Sequence, residues 1–127
     1  MKKILQILFL FYLVSFAACK NDKTQINISS KNFEDEISRK TNLSIVFSQN
    51  IAAADWFNKW DTTQFIRFTP PVQGKFQWKS ANELVFSPAQ AFPPSTDFRG
   101  QITEKVAQIS DGLALGKNTN FDFHTPY

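Results

Sequence analysis

Between Phe68 and Pro88 the chain reads FTPPVQGKFQWKSANELVFSP. Two short alternating runs, Lys75–Trp78 and Glu83–Phe86, flank the polar stretch Lys79–Asn82. A period of two sends Phe76 and Trp78 to one side of their strand, and Leu84 and Phe86 to one side of theirs. Lys79–Asn82 is then the hairpin connection, and Val72-Gln73-Gly74 is a turn ahead of it. Pro70, Pro71 and Pro88 cannot donate to a sheet ladder, so the hairpin cannot lengthen past them. An isolated hairpin of this size is marginal in water. Its apolar face has to be covered by further strands, and this limits the folds open to the chain.

The remaining sequence supplies such strands. Gln25–Ser29 alternates and reads as a first strand. Ser30–Asn42 is polar; Phe33 and Ile37 fit one helical turn, while a loop or an edge strand around Glu36-Ile37-Ser38 fits equally. Leu43, Ile45 and Phe47 mark a half-buried strand. Ala52–Trp60 loses the rhythm and suits a short helix or a loop over one end of the core. Gln64–Thr69 reads as a strand with Phe65 and Arg67 on one face and Ile66 and Phe68 on the other. After a proline-rich corner at Ala91–Thr96 comes Asp97–Thr103, with Phe98, Gly100 and Ile102 in register and a possible bulge at Gly100. Glu104–Gly116 fits a short helix through Val106, Ile109 and Leu113, followed by turn residues. Phe121–Thr125 is a last short strand. The expected fold is all-β: an Ig-like sandwich of about seven short strands over residues 25–127, with no long helix.

Eleven of the fourteen phenylalanines lie after Cys19. Each large side chain contributes about 1.5–3 kcal/mol when fully buried, so a core without disulfides is within reach. Cys19 is the only cysteine, and no internal disulfide is possible.

The first residues follow different rules. Lys2 and Lys3 precede the apolar run Ile4–Phe16, and Ala17-Ala18-Cys19 closes it. A charged start, an apolar stretch and small residues at the cut describe a secretory signal. The run is shorter than the roughly 20 residues a spanning helix needs. Phe16-Ala17-Ala18-Cys19 resembles the lipobox of bacterial lipoproteins, with Phe16 where that family prefers leucine. The resemblance implies a signal-peptide helix at 1–18, acylation of Cys19, a tether over 19–24 and a membrane partner through the lipid. Lys20-Asn21-Asp22 is similar to a diluted form of the tags that carry some lipoproteins to the cell surface. The expected location is the outer membrane, on its periplasmic face or at the cell surface. Without residues 1–18 the chain carries 12 basic against 11 acidic side chains, so the overall +3 reflects the leader. No basic cluster remains to suggest a nucleic-acid partner.

Catalytic chemistry is not in view. His124 is the only histidine, and a zinc site needs three or four ligands. No nucleophile has a base placed to activate it. Glu34-Asp35-Glu36 lacks the flanking pattern of a calcium loop and reads as a solvated face. No cofactor and no metal site are expected. Trp56 and Trp60, four residues apart around Phe57, are a lid on the core or an exposed contact for a polysaccharide or a partner protein.

A family resemblance rests on two segments. Leu43–Ile51, LSIVFSQNI, is similar to the opening strand of many bacterial Ig-like domains. Phe68–Pro88 followed by AFPPSTDFRGQI runs through a Pro-Pro turn, a glycine, a hairpin with Trp78 closing its first strand, Asn82-x-Leu84-x-Phe86-x-Pro88, and then Pro94-x-Thr96 with Phe98. That order resembles the N-terminal macroglobulin-type domain of bacterial alpha-2-macroglobulin lipoproteins. The match is good over Asn42–Ile102 and poor at the ends. It implies a macroglobulin-type sandwich, a place next to the membrane, and proteases as partners of a full-length homologue. That family's thioester requires a Cys-x-Glu-Gln motif, and Cys19 is followed by Lys20-Asn21-Asp22.

Overall fold

The computed structural model describes residues 24–127. The expected signal-peptide helix at 1–18, Cys19 and most of the expected tether lie outside the described residues. Ten strands appear in the order β1 (Gln25–Ile26), β2 (Ile28–Lys31), β3 (Leu43–Phe47), β4 (Trp60–Asp61), β5 (Ile66–Thr69), β6 (Gly74–Ser80), β7 (Glu83–Pro88), β8 (Asp97–Ile102), β9 (Ala114–Leu115) and β10 (Asn120–His124). Three of them, β1, β4 and β9, have two residues each. The other seven have four or more and make up the expected sandwich. One helix, α1 (Glu104–Ile109), follows β8, and a 3-10 turn spans Ala54–Trp56.

The larger sheet runs β2-β3-β7-β6-β4 and the smaller β10-β8-β5, while β1 and β9 form a parallel pair. The β6–β7 hairpin is the centre of the larger sheet. It sets Phe76 opposite Phe86 and Trp78 opposite Leu84, and all four side chains are buried. Strand β6 reaches Ser80, so the connection is tighter than Lys79–Asn82. Gly74 begins β6 rather than ending a turn, because a side chain there would meet the Phe86 ring.

Aromatic rings join the two sheets. Phe68 of β5 lies 4.7 Å from Phe86 of β7, and Phe65 lies 5.5 Å from Trp78. Phe123 of β10 stacks on Phe98 of β8 at 5.2 Å. The indole N–H of Trp78 is buried with no hydrogen-bond partner, a donor given up to place the largest ring in the core.

Four local readings need correction. Gln25–Ser29 is two strands, since the chain leaves β9 at Ile26 and joins β3 from Ile28. Gly100 marks no bulge: β8 pairs regularly on both sides there, and the Phe121 ring occupies the space a side chain would need. Phe65 is buried together with Ile66 and Phe68 while Arg67 is exposed; Phe65 precedes β5 and turns inward instead of following its alternation. Trp60 belongs to an edge strand, paired with Gln77.

Candidate functional site

The open edge of the smaller sheet is the most developed surface feature. Antiparallel ladders alternate between residues bonded to one neighbour and residues bonded to the other. Thr103 N donates to Phe65 O at 2.9 Å, and Ile102 N donates to Thr119 O at 2.9 Å. With Arg67 opposite Gln101, this places the peptide groups of Arg67 and Thr69 toward β8 and those of Ile66 and Phe68 away from it. Beyond them lies a hollow of about 590 Å³. Its lining includes the buried rings of Phe76 and Phe86 together with Thr62, Gln64, Pro71 and Gly74. The Arg67 side chain stands exposed on the outer face of the sheet and makes no ion pair with the described residues.

The opposite edge of the same sheet is closed. His124 N donates to Asp35 O at 2.7 Å, Ile37 N to His124 O at 3.1 Å and Ile28 N to Asn118 O at 2.8 Å. Phe33 covers Phe121 and Phe123 at 5.3 and 5.9 Å. Ser30 and Lys31 belong to β2, and residues 32–42 form a flap with one bridge, Glu36 to His124, in which both Phe33 and Ile37 are buried. His124 Nε2 lies 3.1 Å from Glu36 Oε2, at the sheet margin.

The two tryptophans are not brought together as one patch. Trp56 packs edge-on against Phe65 at 5.8 Å and is half-buried. Trp60 is 45% exposed, and the Lys75 ammonium sits 4.9 Å from its ring centre. Trp56 lies against the core as a lid, and Trp60 lies at the surface. Beside Trp60, the Asp61 carboxylate accepts from Thr63 N and from the Thr63 hydroxyl, both at 2.7 Å. The Thr63 backbone bond, then its hydroxyl, holds the Asp61 pKa below the ordinary carboxylate value. On the smaller sheet, Arg99 Nε donates to Asp122 at 3.1 Å, and this bond raises the arginine pKa further. Among the described residues no three histidines, cysteines, aspartates or glutamates gather as a metal would require. No described helix is long and apolar enough to cross a membrane.

The β5 edge escaped the sequence because its two determinants, strand order and ladder phase, depend on distant pairings. A family model for the bacterial Ig-like domain matches residues 22–125. The chain belongs to the bacterial Ig-like domain family. An L,D-transpeptidase from Mycobacterium smegmatis aligns with a TM-score of 0.52 and 11% identity, over 81% of this chain and 41% of that one. L,D-transpeptidase 3 from Mycobacterium tuberculosis, solved with a faropenem-derived adduct, aligns with a TM-score of 0.48 and 16% identity, over 79% of this chain and 37% of that one. This Ig-like chain thus spans about two fifths of the length of those enzymes. At such identity the first likeness speaks for the Ig-like fold alone. A search of curated protein sequences finds no match.

Proposed function

We propose that this Ig-like domain is a non-catalytic spacer of the cell envelope, lipid-anchored through Cys19 at one pole. One observation carries the reading: the first and last segments run parallel. Gln25 pairs with Ala114, and Glu36 bridges His124. The chain therefore enters the sandwich at one pole and leaves beyond His124 at the other. The lipobox cysteine stands only a short polar stretch before Gln25. A domain held at one pole carries whatever follows it away from the membrane.

The larger protein in this proposal is an alpha-2-macroglobulin-type protease trap, with this domain next to the outer membrane. The residue order from Phe68 to Ile102 supports that choice. The alternative is an Ig-like module acting alone, with Trp60 as its contact for a polysaccharide or a partner protein; its exposure supports that reading.

Cells expressing the full chain and its Cys19→Ser variant test the anchor. Wild type should incorporate radiolabelled palmitate and sediment with membranes, and Cys19→Ser should do neither. A variant that still sediments with membranes sinks the anchored spacer. The DNA beyond Tyr127 tests the trap: if no macroglobulin-like domains follow in any frame, that role loses its support.

A further inference from the structure

We propose that the β5 edge docks an extended peptide segment of the pattern apolar–acidic–apolar, which joins the smaller sheet as a fourth strand beside β5. Docking at this edge is independent of the lipid anchor.

The smaller sheet contains its own template for that segment. On β10, Phe121-Asp122-Phe123 lies against β8. Phe121 and Phe123 are in the backbone-bonded positions, in phase with the Ile102–Thr119 bond, and both rings enter the core. Asp122 is in the intervening narrow position, facing outward, and accepts from Arg99 at 3.1 Å. The β5 edge repeats the arginine half of this arrangement. Ile66 and Phe68 hold their peptide groups toward the opening, and Arg67 occupies the narrow position between them with its side chain on the same outer face as Arg99. A fourth strand that satisfies the two outward peptide groups necessarily puts one residue opposite Arg67 on the outer face. Its two neighbours point inward, over Phe76 and Phe86, into the hollow of about 590 Å³. That volume is within the range of ordinary ligand clefts. Apolar groups suit the inward positions, and a carboxylate suits the outward one.

Charge selects this occupant over a second copy of the chain. Two β5 strands paired antiparallel about Arg67 set the two guanidinium groups against each other, and like charges directly opposite destabilise a strand pair. Glu104 lines a neighbouring hollow with Arg67 but forms no ion pair with it. The positive group on this edge is unmatched within the described residues. Strand addition to an exposed edge is a general mode of peptide recognition, with backbone bonds supplying affinity and alternate side chains supplying specificity.

The probe is acetyl-TNFDFHT-amide, which carries the chain's own β10 sequence, and a second peptide with lysine in place of the aspartate. Each is titrated into the full chain while amide hydrogen exchange is followed by NMR. At saturation the aspartate peptide should slow exchange at Ile66 and Phe68 by at least about tenfold and leave the β8 amides unchanged. The Arg67→Glu variant should bind the aspartate peptide roughly fivefold more weakly and prefer the lysine peptide. Arg67 is exposed, so an unchanged thermal midpoint will show that the variant is folded. Four results overturn the proposal: no slowing at Ile66 and Phe68; slowing along β8, which means that the peptide displaces β10; slowing without peptide that grows with protein concentration, which means pairing of copies; or equal affinity of both peptides for both proteins.

Discussion

The two edges of the smaller sheet use similar residues and end differently. On β10 a flap from the N-terminal segment supplies backbone partners and covers the rings with Phe33. On β5 the ring of Phe68 is buried to the same degree as that of Phe123, yet the outward peptide groups face a hollow. Ring burial and edge closure are thus separate properties. The core needs the side chains of both edge strands, while only one edge needs a neighbour to be finished. Exposed edges are usually blunted by charge, proline or brevity. Here β5 has four residues, Arg67 in the middle, and Pro70-Pro71 directly after it.

The largest test concerns the rings. Phe123→Ala and Phe68→Ala should each cost about 3–5 kcal/mol in urea unfolding, because each empties a buried site between the sheets. A much smaller loss for Phe68→Ala would mean that the open edge is loosely packed as well as unpaired, and the distinction would fail. The next test is Gly100→Ala, which drives a methyl group into the Phe121 ring and should cost about 1–3 kcal/mol. That loss falls on the β8–β10 side, so exchange should quicken at β10 before β5. Equal quickening at both would show that the edges open together. The smallest effect lies on the larger sheet, at Asp61 of β4. Its pKa is lower in the folded chain than in the unfolded one, so its stabilisation is complete above the ordinary value of 3.8 and is lost as pH falls below it. The Asp61→Asn variant should be slightly less stable than the wild type at pH 7, and the gap should narrow as pH falls below 3.8, as read by thermal melts. A difference that grew toward acid would reverse the assigned sign.

Much of the sandwich was legible because alternation is a local signal. Leu43, Ile45 and Phe47 bury as their spacing implies, and so do the four inward residues of the β6–β7 hairpin. Two of the misreadings share a physical source. Gly74 and Gly100 looked like turn and bulge residues, but each is small because a phenylalanine from the adjoining strand lies over it, and only the pairing register reveals that ring. Phe33 and Ile37, four apart, fitted either a helical turn or a loop or edge strand around Glu36-Ile37-Ser38; the structure has the second, a flap bridged at Glu36 that buries both side chains in the core. The open edge of β5 had no signature of its own, since Gln64–Thr69 would read the same in a central strand. Trp56 and Trp60 look alike in sequence and separate only when β4 pairs with β6 and leaves Trp60 outside.

The parallel course of the first and last segments has a mechanical consequence. A force applied between the two poles runs along the contacts of Gln25 with Ala114, Ile28 with Asn118 and Glu36 with His124. It loads them in shear, and they must give way nearly together. Antiparallel end strands pulled from a single pole would unzip one bond at a time. The connectivity that separates the two poles therefore also makes the domain stiff along the axis that joins them.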